Sequence, residues 1–146
     1  MTIAVYRAPM RSRRDDVDWG AAVERALAEG LCGFGGPPEP DADERLARRI
    51  RRFRDIDYGS FVWTRDADGL YWLGRIEGPY FYDADVAATA VDLVHVRKCR
   101  WLTAPFDESV VPSAVVATFG RGGRNFQQTH DPAVGEQTQR LWDERS

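Results

Sequence analysis

The residues that would carry catalysis are few. His95 lies inside an apolar run, where a histidine is usually a satisfied structural group. His130 stands beside Asp131 in the polar segment "QQTHDP", a pairing that suits proton transfer on a nucleotide-like molecule. No serine or cysteine in a nucleophile context accompanies it. The glycine-rich "GRGGR" at 120–124 lacks the Lys-Ser/Thr ending of a phosphate-binding loop, and "GFGG" at 33–36 is equally weak as a dinucleotide motif. Cys32 and Cys99 are isolated, with no Cys-x-x-Cys and no clustered histidine, so neither a metal nor any other cofactor is expected. No catalytic residue is assigned.

Binding chemistry is better represented. All but Lys98 of the 20 basic residues are arginine. Codon bias in a GC-rich genome accounts for this most simply, yet the guanidinium also offers a planar fork that matches phosphates and base edges. The stretch "GLYWLGRIEGPYFY" at 69–82 concentrates aromatic rings, with Tyr80 and Tyr82 near its end. Together with Phe34 they fall at loops or strand ends, where core packing is less expected. Trp63, Trp72 and Trp101 are mid-strand, and core packing is the plainer expectation for each; Trp63 is retained as a further candidate wall of a pocket. A flat ligand between such rings gains about 1–3 kcal/mol per stack.

These groups need a scaffold. The 146 residues suit one domain over 1–146, and 43% hydrophobic residues can bury a core. The net charge of -3 argues against a general cationic coat but allows a local basic groove. Two thiols in apolar settings fit burial in a reducing cytoplasm, and neither a signal peptide nor a membrane span is visible. Ile3 to Tyr6 reads as a strand. Asp18 caps a helix from Trp19 to about Glu29, with Trp19, Val23 and Leu27 as its buried stripe and Gly30 ending it. "LCGFGG" is a short strand. Asp43 caps a second helix from Glu44 to about Phe53, with Leu46, Ile50 and Phe53 on its apolar side and six arginines around the rest. A solvated face is the simpler reading of those arginines, and a phosphate-contacting face is the alternative.

The second half is richer in strands. "GSFVWTRD" and "LYWLGRIEG" form a hairpin across Asp68-Gly69, with Trp72 facing inward. "PYFYDADVAATA" reads as an aromatic loop and "DLVHVRKCRWL" as another strand. "VVPSAVVATFG" is a turn or helix, "RGGRNFQQTHD" a polar segment, and Pro132 to Trp142 a closing helix. The predicted class is α+β: a small β-barrel or curved sheet flanked by helices.

The order of Gly33-Phe-Gly-Gly36, Gly59-Ser-Phe-Val62, Gly74-Arg-Ile-Glu-Gly-Pro-Tyr80 and His95-Val-Arg-Lys-Cys-Arg-Trp-Leu102 resembles the PUA-like superfamily. It is most similar to the EVE and YTH branch, and within it to the N-terminal modules of Mrr-type restriction systems. That resemblance implies a barrel whose pocket receives a flipped, modified base: N6-methyladenine of RNA in YTH domains, modified cytosine or adenine of DNA in EVE-like modules. Phe34 matches the first cage aromatic, and Tyr80 or Tyr82 lies in the segment that delivers another. Phe34 stands where the family usually has Trp, and Ser60 where it usually has Asp.

The expected function is therefore a non-catalytic reader of DNA or RNA carrying a modified base. Phe34, Tyr80, Tyr82 and Trp63 would form the pocket, with backbone groups near Gly33 and Gly35 meeting the polar edge of the base. Arg7, Arg121, Arg124, Arg48 and Arg52 would hold phosphates. No nuclease segment follows within the 146 residues, so a cleaving or other effector partner is expected to be separately encoded. Two rival readings stand beside this one. One is a regulatory subunit with a vestigial pocket whose arginine helix binds an acidic protein. The other is a small enzyme acting through His130 and Asp131.

Overall fold

The computed structural model describes residues 3–38 and 43–146. Its six strands are β1 (Val5–Arg7), β2 (Leu31–Phe34), β3 (Phe61–Arg65), β4 (Tyr71–Tyr82), β5 (His95–Trp101) and β6 (Gln127–Gln128). They form one mixed sheet in the order β2-β5-β4-β3-β1-β6, in which only β1 and β3 run parallel. Five helices flank it: α1 (Trp19–Glu29), α2 (Glu44–Arg54), α3 (Val86–Ala90), α4 (Ser113–Gly120) and α5 (Val134–Arg145). The α+β class and the curved, helix-flanked sheet are as predicted. No described helix is long and apolar enough to cross a membrane.

The helix ends follow the capping residues read from the sequence. The Asp18 carboxylate accepts from the Gly20 N–H, and Gly30 closes α1 at φ 67°, a left-handed conformation that glycine adopts without strain. Asp43 accepts from the Leu46 N–H at the start of α2. Leu46, Ile50 and Phe53 are the buried side of α2, as expected. The stripe of α1 is different: Gly20, Ala22, Val23 and Ala26 are buried, while Trp19 is 41% exposed under the guanidinium of Arg11. Small residues let α1 lie close to β2, and the larger Trp19 is displaced to the rim.

Two apolar clusters lie on opposite faces of the sheet. One joins Cys32, Phe34, Val62, Ile76 and Cys99 to residues of α1 and α2. The other joins Val5, Phe61, Trp63, Tyr71 and Leu73 to Val115 of α4 and Trp142 of α5. On β4, Tyr71 and Leu73 face the second cluster and Ile76 the first. Trp72, expected inside, is half-buried and donates its indole N–H to Asp66 of the hairpin. Strand alternation puts it on the face opposite Tyr71.

β4 runs on to Tyr82, so Tyr80 and Tyr82 are strand residues and not loop residues; α3 follows them. A bulge makes this possible. Between the pairs Ile76↔Cys99 and Tyr80↔Arg97, β4 carries two more residues than β5. Pro79 has no N–H to offer the ladder there, and a methyl on Gly78 would press into Lys98.

Arg97 locks this region. Fully buried, it donates Nε to the Gly78 carbonyl and Nη1 to the carbonyls of Phe53 and Ile56. It thus ties the bulge of β4 to the C-terminal end of α2, where a cation meets the negative end of the helix dipole.

Candidate functional site

The cross-strand register sets the site's floor. His95 lies directly opposite Phe34 on one side and Tyr82 on the other. Directly opposed residues share a face, so Phe34, His95 and Tyr82 form a row across β2, β5 and β4. His95 is completely buried, its Nε2 2.8 Å from the Pro37 carbonyl and its Nδ1 2.8 Å from the Tyr80 hydroxyl. A proline carbonyl can only accept, so Nε2 carries the proton and Nδ1 accepts from Tyr80. Burial pushes the imidazole below its ordinary pKa, with the Pro37 bond acting in the other direction. Burial likewise raises the Tyr80 phenol.

Above this floor is a cavity of about 470 Å³. Its apolar lining comes from Phe34, Leu46, Tyr82 and Val94, and Arg11, Arg13, Arg14, Arg49 and Arg124 supply guanidinium groups. Asp92 holds the wall together. Its carboxylate accepts from the Ser12 hydroxyl at 2.6 Å and from the Gly36 N–H at 3.1 Å, joining the connector after β1 to the loop after β2. Asp92 has φ 52° and Met10, just before Arg11, has φ 53°. Both non-glycine residues in the left-handed region therefore adjoin this cavity among the described residues. Any side chain on Gly35 would overlap the Asp92 carboxylate.

The ring of Phe34 is not open. Only 4% exposed, it tilts against His95 and carries the Arg49 guanidinium 4.7 Å from its centroid. Burial lowers the Arg49 pKa, and nearby Arg13 adds to the effect. The walls available to a ligand are thus Tyr82, an edge of Phe34 and the plane of Arg49.

Several expected site residues lie elsewhere. Trp63 is wholly buried on the other face of the sheet, its indole N–H donating to Thr138 of α5, and it lines no cavity described here. Tyr80 is turned into the core, bonded to His95 and edge-on to Phe53. Gly33 is paired with Val96 inside the sheet, where a side chain would strike the His95 carbonyl; its role is close strand approach. Arg7 is 5% exposed and is consumed by main-chain carbonyls, with Nη1 donating to Thr118 and Gly122 and Nε to Asn125. It fastens the loop that bears Arg121 and Arg124.

Of the other arginines named from the sequence, Arg124 lines the cavity, while Arg121 and Arg48 are exposed outside it. Arg52 lines a second cavity, described below. Asp131 accepts from the Ala133 N–H and is joined to His130 by neither a hydrogen bond nor an ion pair; His130 lines the second cavity.

Sequence reasoning missed Arg49, Asp92 and Ser12. A signal existed for Arg49: with Leu46, Ile50 and Phe53 it occupies the i, i+3, i+4, i+7 stripe of α2, so it had to face inward.

No family model matches the chain, and no curated protein does. Among solved structures it is similar to the Pho92 YTH domain in complex with m6A, with 11% identity, a TM-score of 0.55, and coverage of 96% of this chain and 86% of that one. It is also similar to the YTH domain of the Zygosaccharomyces rouxii MRB1 protein in complex with N6-methyladenosine RNA. There the identity is 12% and the TM-score 0.50, covering 99% of this chain and 89% of that one. At such identities the likeness is one of fold.

Proposed function

We propose that the chain is a non-catalytic nucleic-acid reader that takes one modified base, out of its stack, into the cavity between Tyr82, Phe34 and Arg49. One observation carries this reading: an aromatic-walled recess ringed by five arginines, in a fold like that of two domains solved with methylated adenosine. A base is flat and apolar on its faces, and its backbone is anionic. Tyr82 and the Arg49 plane suit the faces, since guanidinium groups stack on bases as aromatic rings do. Arg124, with Arg121, Arg48 and Arg52 on the surrounding surface, suits the phosphates. Asp92, with acceptor capacity left on both oxygens, suits an exocyclic amino group. A nuclease or other effector would act on what the module holds.

The test is a panel of short DNA and RNA strands, each carrying one modified base, titrated by fluorescence anisotropy against the plain strand. At least one modified strand should bind about tenfold more tightly than its control, a difference of the size one good stack supplies. If none does, the reading is wrong.

A second reading has one observation in its favour. Arg45, Arg48, Arg51 and Arg54 are exposed on α2 and line neither cavity. They would suit an acidic protein surface, and tight protein binding without nucleic-acid affinity would favour that reading.

A further inference from the structure

The two edge strands of the sheet, β2 and β6, stand at opposite ends of the strand order, yet both reach one cavity of about 660 Å³. The sheet curves so that both edges border one cavity, and Phe53 of α2 stands between them. Phe34 of β2 packs on Phe53 of α2, Phe53 on Phe126, and Phe126 on Tyr6 of β1, with centroids 5.1, 4.9 and 5.6 Å apart. All four line the seam cavity; Phe34 and Phe53 are buried beneath it, and the half-buried Tyr6 and Phe126 form its open floor. Gln127 and Gln128 of β6 line it together with Arg49, Arg52 and Asp55.

We propose that this seam cavity is a second base subsite, for the nucleotide next to the one held in the Tyr82 cavity. The proposal rests on the reading that the first cavity receives a base. Phe34 and Arg49 belong to both cavities, so the two are separated by a wall one side chain thick. Consecutive bases of one strand, splayed to either side of Arg49, would occupy both.

The chemistry of the lining favours a base over other flat groups. An aromatic floor takes its face, and glutamine amides offer a donor and an acceptor to its edge. β6 is the terminal strand, so its outer edge also presents main-chain N–H and C=O groups. Asp55 repels a phosphate from its own wall and accepts from an amino-bearing base edge, which points to adenine, cytosine or guanine. Arg49 and Arg52 remain for the linking phosphate.

The experiment compares the wild type with the double variant Gln127→Ala/Gln128→Ala, both positions being exposed and safe for folding. Ligands are N6-methyladenosine monophosphate and single-stranded trinucleotides with adenosine or N6-methyladenosine in the centre and each of the four bases on either side. The wild type should prefer particular neighbours. The double variant should lose that preference, by about tenfold for the favoured neighbour, the worth of a good amide–base contact, while its affinity for the monophosphate is unchanged. Equal affinity for all neighbours in the wild type, or a preference that survives in the double variant, overturns the proposal. A neighbour preference that the variant abolishes, found without any advantage for the methylated centre, sinks the modified-base reading and leaves the seam subsite standing.

Discussion

The guanidinium of Arg49 lies across the ring of Phe34, 4.7 Å from its centroid, and separates the two cavities. The recess is therefore bounded by two aromatic residues and one guanidinium plane. Replacing Arg49 by lysine keeps the charge and removes the plane. Arg49→Lys should weaken binding of the preferred modified strand by about tenfold, the scale of one stacking contact. Anisotropy titration measures this, and equal affinities would show that the Arg49 plane touches no base.

The same residue sets a charge preference. With Arg11, Arg13, Arg14 and Arg124 also on the cavity, a base carrying a fixed positive charge meets repulsion. Strands containing 1-methyladenine or 7-methylguanine should bind no better than plain strands. A neutral modification of similar size should be preferred over both in direct competition. Tight binding of a cationic base would contradict the assignment of these arginines.

Tyr82 and Trp63 separate pocket from core. Trp63→Ala should lower stability by about 3–5 kcal/mol, the range for emptying a large buried aromatic site. Tyr82→Ala should cost far less stability and about 1–3 kcal/mol of binding. Urea unfolding and anisotropy on both variants give the comparison. Reversed effects would move the site to the other face of the sheet.

Arg7→Met keeps the bulk of the stem and strands three carbonyls, those of Thr118, Gly122 and Asn125. Hydrogen bonds to a charged donor are worth about 1.5–3 kcal/mol each, and partial rehydration of the loop recovers part of that, so a loss of about 2–4 kcal/mol is expected. Arg121→Ala/Arg124→Ala should leave stability nearly unchanged and flatten the salt dependence of binding. The expected change is roughly one unit of log–log slope per phosphate contact removed. A double variant with the wild-type slope would exclude both from the phosphate path.

His95 makes stability depend on pH in a stated direction. Its folded pKa is depressed, by burial first, so the unfolded chain takes up the proton more readily. The contribution is complete above the unfolded value of about 6.5 and is lost as pH falls from there toward the folded pKa. Asp92 favours the charged ring and Arg49 opposes it. Urea midpoints should therefore fall with pH below about 6.5, and His95→Gln should flatten that part of the profile. A midpoint that rises there would reverse the sign.

The fold was readable where local chemistry and burial agree. Asp18, Gly30 and Asp43 announce helix ends by hydrogen-bonding geometry that depends on neighbours in sequence alone. The hairpin at Asp68-Gly69 is of the same kind, with Gly69 at φ 84°. The site was readable only in part. Phe34 and Tyr82, singled out because aromatics at strand ends are unusual, line the candidate cavity, as does Arg124 beside its glycines. Tyr80 shares the face of Tyr82 but lies two residues further into the strand, bonded to His95 and covered edge-on by Phe53 of α2, so its ring is taken up by packing. Arg7 resembles any other arginine until the returning loop supplies its carbonyls. Asp92 and Ser12 meet across 80 residues of chain, a contact no local pattern encodes.

The helix that Arg97 pins to the sheet carries six arginines and one acid, Glu44, in eleven residues. Arg45, Arg48 and Arg52 follow one another at helical spacing, as do Arg48, Arg51 and Arg54, so like charges stand one turn apart and push on each other. The bonds from Arg97 to the Phe53 and Ile56 carbonyls hold the C-terminal end of the helix against that repulsion. A bound polyanion would relieve that repulsion. Screening by added salt should therefore stabilise the free protein, while under the proposed function the same salt would weaken its grip on nucleic acid. Folding and the proposed binding would then respond to ionic strength in opposite senses, through one set of side chains.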